Sequence, residues 1–141
     1  RLDKCRIVGQ NDAASGLLRV CWRNLGGAYN CGRCEKCIRT MVQLLAAGAL
    51  EQCSAFDHEL DPEVLHENRD VRAEVRKKDF HYHQPLQVLR ETGRAPEVVR
   101  AVEAALNGPS IQERMHLKIR DFYVYSRHIV GRLSRRAGLR E

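Results

Sequence analysis

The sequence predicts a mainly α-helical chain with a small strand-containing metal module on its N-terminal side. Three observations predict it. Cys31, Cys34 and Cys37 stand at C-x2-C-x2-C spacing with Cys21 ten residues upstream, so four thiols fall within seventeen residues. Apolar residues elsewhere recur at the three-four spacing of amphipathic helices. Start and stop signals, Asp61-Pro62, Pro96, Gly48, Gly93 and Gly108, divide that pattern into helices of ordinary length.

Taken in order, Asp3 is placed to cap a short helix through Lys4, Ile7 and Val8 that fades between Asn11 and Gly16. Residues 17–22 read as one extended strand ending beside the first thiol, Cys21. The turn residues Asn24, Gly26 and Gly27 then make 23–30 a loop that returns the chain to Cys31. A helix starts near Cys34, carries Ile38, Met41, Val42 and Leu45, and stops at Gly48 in a left-handed cap. Asp61-Pro62-Glu63 combines an N-cap, a proline at the first helical position and an acid favoured by the helix dipole. The helix it opens includes Val64 and Leu65 and runs past Val71 to Val75. A further helix takes Pro85 to Glu91 and ends at Gly93, and the next starts at Pro96, carries Val98, Val99, Val102 and Leu106, and ends at Asn107-Gly108. The last begins around Ser110 with the stripe Met115, Ile119, Phe122, Ile129 or Val130, and Leu133. This divides the chain into a module over 1–55 and a helical extension over 56–141.

The cysteines carry the chemistry. Short loops make a chelate cheap to close in chain entropy, and Gly32 lets the backbone fold around an ion. Cys34 and Cys37, three apart, share one face of the helix that follows. Cys21, Cys31, Cys34 and Cys37 around one ion suit Zn2+ in a closed tetrahedral site, which stabilises a fold and performs no chemistry. An iron–sulfur cluster is the competing reading, but Ile38-Arg39-Thr40 lacks the further Cys and Pro of a ferredoxin-type run. Buried free thiols or disulfides are the bland alternative, at odds with the clustering of four of the six cysteines.

The net charge of +6 is unevenly spread. Residues 114–140 hold eight Lys or Arg and one acid, Asp121, whereas 51–79 hold nine acids and five bases. The basic end has a nucleic-acid reading, with Arg127, Arg132, Arg135 and Arg136 beside Tyr123 and Tyr125. Its alternative is an amphipathic helix whose polar face is basic. No apolar run reaches membrane-spanning length and no signal-peptide pattern is visible, so a cytoplasmic location and no membrane partner are expected. The chain begins Arg1-Leu-Asp-Lys without an initiator Met, with its strongest motif near the front. It reads as the C-terminal portion of a longer polypeptide.

Cys5 and Cys53 are isolated and read as small buried hydrophobes. His81 and His83 would share a face on a strand, but with no third ligand nearby a surface or loop role is expected. His58, between Asp57 and Glu59, reads as solvated. No Ser/His/Asp or Cys/His catalytic arrangement follows from the spacing, and no catalytic residue is assigned.

Over Cys21 to Arg39, the strand-end Cys, a loop glycine (Gly26 or Gly27), the Cys31-Gly32-x-Cys34-x-x-Cys37 run and Arg39 resemble the zinc-binding C-terminal region of the 7-cyano-7-deazaguanine synthase family. That family lies within the PP-loop ATP pyrophosphatase superfamily. The resemblance covers about the first fifty residues. It implies the C-terminal part of an α/β PP-loop enzyme that adenylates its substrate with ATP, with zinc structural. The ATP-binding S-G-G-x-D-S loop is not in this chain, so ATP would bind only the full-length parent. Arg33, Lys36 and Arg39 are candidates for contacting phosphate or carboxylate groups. Their alternative role is to offset the charge of a four-thiolate ion. A non-enzymatic zinc module, binding nucleic acid or a protein through the basic C-terminal helix, is the second functional expectation.

Overall fold

In the computed structural model, residues 1–24, 27–56 and 59–108 are described, together with Met115 and Ile119. Among the described residues of 1–108, these elements follow one another: α1 (Leu2–Gly9), α2 (Asp12–Gly16), α3 (Glu35–Ala47), α4 (Glu63–Glu67), α5 (Arg69–Lys77), the 3-10 turn Asp79–His81, α6 (His83–Thr92) and α7 (Pro96–Asn107). Contacts divide the chain into Arg1–Gly108 and Pro109–Glu141, so α4 to α7 pack in the same unit as the cysteines. In the second unit, Met115 and Ile119 are helical; the rest of the expected last helix, including Arg127, Arg132, Arg135 and Arg136, lies outside the described residues. His58 does too.

Helix α3 is the centre of the first unit. Eight of its thirteen residues are buried, too many for one face, and α1, α5 and α6 all pack against it. Ile38, Met41, Val42 and Leu44 meet Val75 of α5, Leu86 and Leu89 of α6 and Val98 and Val102 of α7 in one core. The expected stop at Gly48 is observed: its φ is +71°, and its N–H and that of Ala49 donate to the Leu45 and Leu44 carbonyls. Those bonds satisfy carbonyls that the helix end would otherwise leave unpaired. Helix α6 closes the same way at Gly93, and α7 starts at Pro96.

Three expectations are corrected. The N-terminal helix is two helices, because Asn11 accepts from the Ala14 N–H and restarts the chain as α2. The helix expected from Glu63 through Val75 breaks at Asn68, whose side-chain oxygen accepts from the Asp70 and Val71 N–H groups and opens α5. In both places a short amide side chain competes with the helical backbone for its own hydrogen bonds. The strand expected over 17–22 is absent, and no strand occurs among the described residues. A strand needs a neighbouring backbone; here the Asn30 side chain takes that place. Its oxygen accepts from Val20 N–H at 2.9 Å and Cys21 N–H at 3.1 Å, and its amide donates to the carbonyls of Leu18 at 2.8 Å and Ala55 at 2.9 Å. The segment still delivers Cys21, but one buried asparagine holds it instead of a ladder.

Candidate metal centre

Four separate features of the fold bring the thiols together. Asn30 holds the backbone of Cys21. Cys31 follows Asn30 directly, and Gly32 turns the chain with φ +63°, a conformation an L side chain resists. Cys34 caps α3 in extended conformation, and Cys37 lies in that helix's first turn. All four are buried and their sulfurs lie within 4.8 Å of one another. Cys21 and Cys34 Sγ are 4.0 Å apart, Cys31 and Cys37 Sγ 3.9 Å. One ion bonded to four sulfurs at about 2.3 Å would space them about 3.8 Å apart at tetrahedral corners. The cysteines therefore fit a single ion with little movement.

Backbone N–H groups surround the sulfurs. Those of Cys31, Asn24 and Arg23 favour the charged form of Cys21, those of Arg33 and Cys34 that of Cys31, that of Cys37 the charged form of Cys34, and that of Gly32 the charged form of Cys37. The donors favour thiolate over thiol, and the N-terminal end of α3 adds its partial positive charge. Without a cation the quartet cannot ionise together. Interaction with the neighbouring thiols, Cys37 foremost, holds Cys34 down to about 5, while the same interaction, burial and the Cys34 charge push Cys37 far up. Burial pushes Cys31 up, whereas hydrogen bonds outweigh burial at Cys21 and leave it lowered. A divalent ion removes this conflict by taking every proton's place.

Charge beside the quartet is arranged around Glu35, whose carboxylate is only 6% exposed. Lys78 Nζ approaches it at 3.0 Å and Arg39 Nη1 at 3.5 Å, and the Tyr82 hydroxyl donates to it at 3.4 Å. Tyr82 is fully buried, and burial followed by the Glu35 charge pushes its hydroxyl pKa well above the usual tyrosine range. Of the three cations singled out in the sequence, Arg39 is thus paired with a buried carboxylate, while Arg33 and Lys36 are exposed. Arg33 edges a shallow groove with Asp61, Glu67 and Asp70.

The remaining candidates stand apart from the thiols. Cys53 is buried and its thiol donates to the Ser15 carbonyl, and Cys5 is half-buried; burial raises both. His81 and His83 sit on the 3-10 turn and the start of α6, not on a strand. His83 Nε2 lies 3.9 Å from Asp79 Oδ2 at the surface, and Arg1 Nη1 lies 3.5 Å from His81 Nε2. Sequence reasoning passed over Asn30, Glu35, Lys78 and Tyr82. Asn30 had a signal, an asparagine adjoining a candidate ligand, but it was legible only as a turn residue. Lys78 and Tyr82 lie more than forty residues from Glu35 and had none.

No protein-family model, curated protein or solved structure matches this chain.

Proposed function

We propose that this chain is a structural zinc module, the zinc-binding portion of a longer PP-loop ATPase-like protein similar to 7-cyano-7-deazaguanine synthase. One observation carries the metal part: four buried sulfurs lie within 4.8 Å of one another. That separation suits a mononuclear site, since a cluster assigns its cysteines to different irons and spreads them wider. Four protein ligands also leave no position for water or substrate, so the ion's work is to fasten the 17–34 loop to α3. The surroundings do the rest: backbone N–H groups favour the thiolates, and Arg39 and Lys78 offset the charge of Glu35 and of the dianionic centre that zinc would form.

The parent enzyme rests on the resemblance over residues 21–39. In that reading the ATP loop lies in another part of the polypeptide, and Arg33 and Lys36, both exposed, are the side chains free to meet a phosphate or carboxylate.

Elemental analysis of the purified chain tests the metal. The expected result is one zinc per chain in a colourless preparation, with Cys34→Ser dropping well below that. Iron with visible absorption would displace zinc, and a folded chain without metal would sink the module altogether. The parent is tested by the coding sequence upstream, expected to contain S-G-G-x-D-S after a strand; a complete upstream sequence without it removes the enzyme reading and leaves the zinc module standing.

A further inference from the structure

The loop held by the chelate presents a surface that the metal does not require. Between Asp12 and Glu35 the sequence has Arg19, Arg23 and Arg33 and not one acid. Trp22, next to the ligand Cys21, is 66% exposed, and Tyr29 is 42% exposed. Each aromatic ring carries an arginine: the Arg23 guanidinium lies 5.6 Å from the Trp22 ring and that of Arg19 lies 5.3 Å from the Tyr29 ring. Arg19 also donates to Asn24 Oδ1 at 2.9 Å, and the Tyr29 hydroxyl donates to the Leu17 carbonyl at 3.0 Å. The two bonds tie the Arg19 and Tyr29 side chains to neighbouring groups of the same loop.

Aromatic faces interleaved with guanidinium groups, on an acid-free loop, match the chemistry of unpaired nucleotides. Bases stack on rings and on guanidinium planes, and the same arginines neutralise phosphates. A purely apolar protein contact explains the exposed Trp22 but not the paired arginines or the missing acids. A duplex is a poorer fit, because its bases are already stacked and a loop of this kind offers no helix to a groove. Fastening by the chelate also means that little side-chain and backbone freedom is lost on binding. We propose that the surface formed by Arg19, Trp22, Arg23 and Tyr29 binds single-stranded RNA or DNA, with Trp22 and Tyr29 stacking bases and Arg19 and Arg23 contacting phosphates. These residues belong to the first unit, and the proposal rests only on the metal module, not on the PP-loop parent.

Trp22 is the sole tryptophan of the chain, so its emission reports on this loop. The zinc-loaded chain is titrated with a 12-nucleotide RNA, the DNA of the same sequence, the corresponding duplex, and an abasic strand of equal charge. Single-stranded RNA, DNA or both should quench Trp22 emission strongly and bind more tightly than the duplex or the abasic strand. By anisotropy of a labelled strand, Trp22→Ala should weaken binding about tenfold. Arg23→Gln should lower the salt dependence by about one released counterion. Zinc content of each variant, expected to be unchanged, separates loss of contact from loss of the module. Unchanged emission at low salt overturns the proposal, as does equal affinity for the abasic strand. Binding that survives Trp22→Ala but vanishes in the joint Arg127→Ser, Arg132→Ser, Arg135→Ser and Arg136→Ser variant overturns it too, placing the contact in the C-terminal segment.

Discussion

Asn30 shows how much one side chain can hold. Its four bonds, two accepted and two donated, join the Cys21 segment, the Cys31 turn and the Ala55 loop in a site shielded from water. Asn30→Ala should cost about 3 kcal/mol, since each buried group left without a partner forfeits its desolvation energy. Asn30→Asp keeps the acceptor but loses both donors, so a denaturation midpoint equal to wild type for that variant would refute this account. His81 provides a second test. Burial, then the charges of Arg39 and Arg1, hold its pKa below 6.5, with Glu35 opposing. The folded chain refuses a proton that the unfolded chain accepts, so the stability His81 contributes is present above 6.5 and lost as pH falls through the folded value. Urea midpoints measured across that interval should decline less steeply in His81→Gln than in wild type; parallel declines would remove His81 from the explanation.

Among the elements, α3 has both ends specified. Its N-terminal end carries two of the four clustered thiols, Cys34 and Cys37, and its C-terminal end is Gly48, at φ +71°. Gly48→Ala should destabilise by about 1 kcal/mol, the cost of a left-handed L-residue. The added Cβ would meet only the end of the Arg94 side chain, at 2.9 Å, which can swing aside. Calorimetry should therefore find Gly93→Ala, where φ is +65° and the added Cβ meets nothing, nearly as costly; a much larger loss at Gly48 would mean that Arg94 is held there. Helix ends of this kind were legible in the sequence, because a glycine after an apolar run and a proline at a helix start act through local backbone geometry. The breaks at Asn11 and Asn68 were not. An asparagine inside a helical pattern caps a new helix only if the chain turns there, and packing of α2 beside α1, and of α4 beside α5, decides that.

At the scale of the whole unit, an ion at the N-terminal end of α3 would join metal binding to folding, because the helix it anchors is the one on which α1, α5 and α6 pack. With free zinc a thousandfold above its dissociation constant, the folded state should gain about 4 kcal/mol over the metal-free chain. A strong chelator should accordingly lower the thermal midpoint and the helical signal together, and an unchanged midpoint would make the ion a passenger. The sequence by itself determined the helical class, most helix limits and the identity of the four thiols, since spacing, caps and periodicity are properties of neighbours along the chain. Only the tertiary structure decided that residues 17–22 are held by Asn30 without a strand partner, that Glu35 is buried between Lys78 and Arg39, and that Trp22 faces water. Each of those depends on groups distant in sequence, or on which side of a loop the core happens to lie, and no local pattern encodes either.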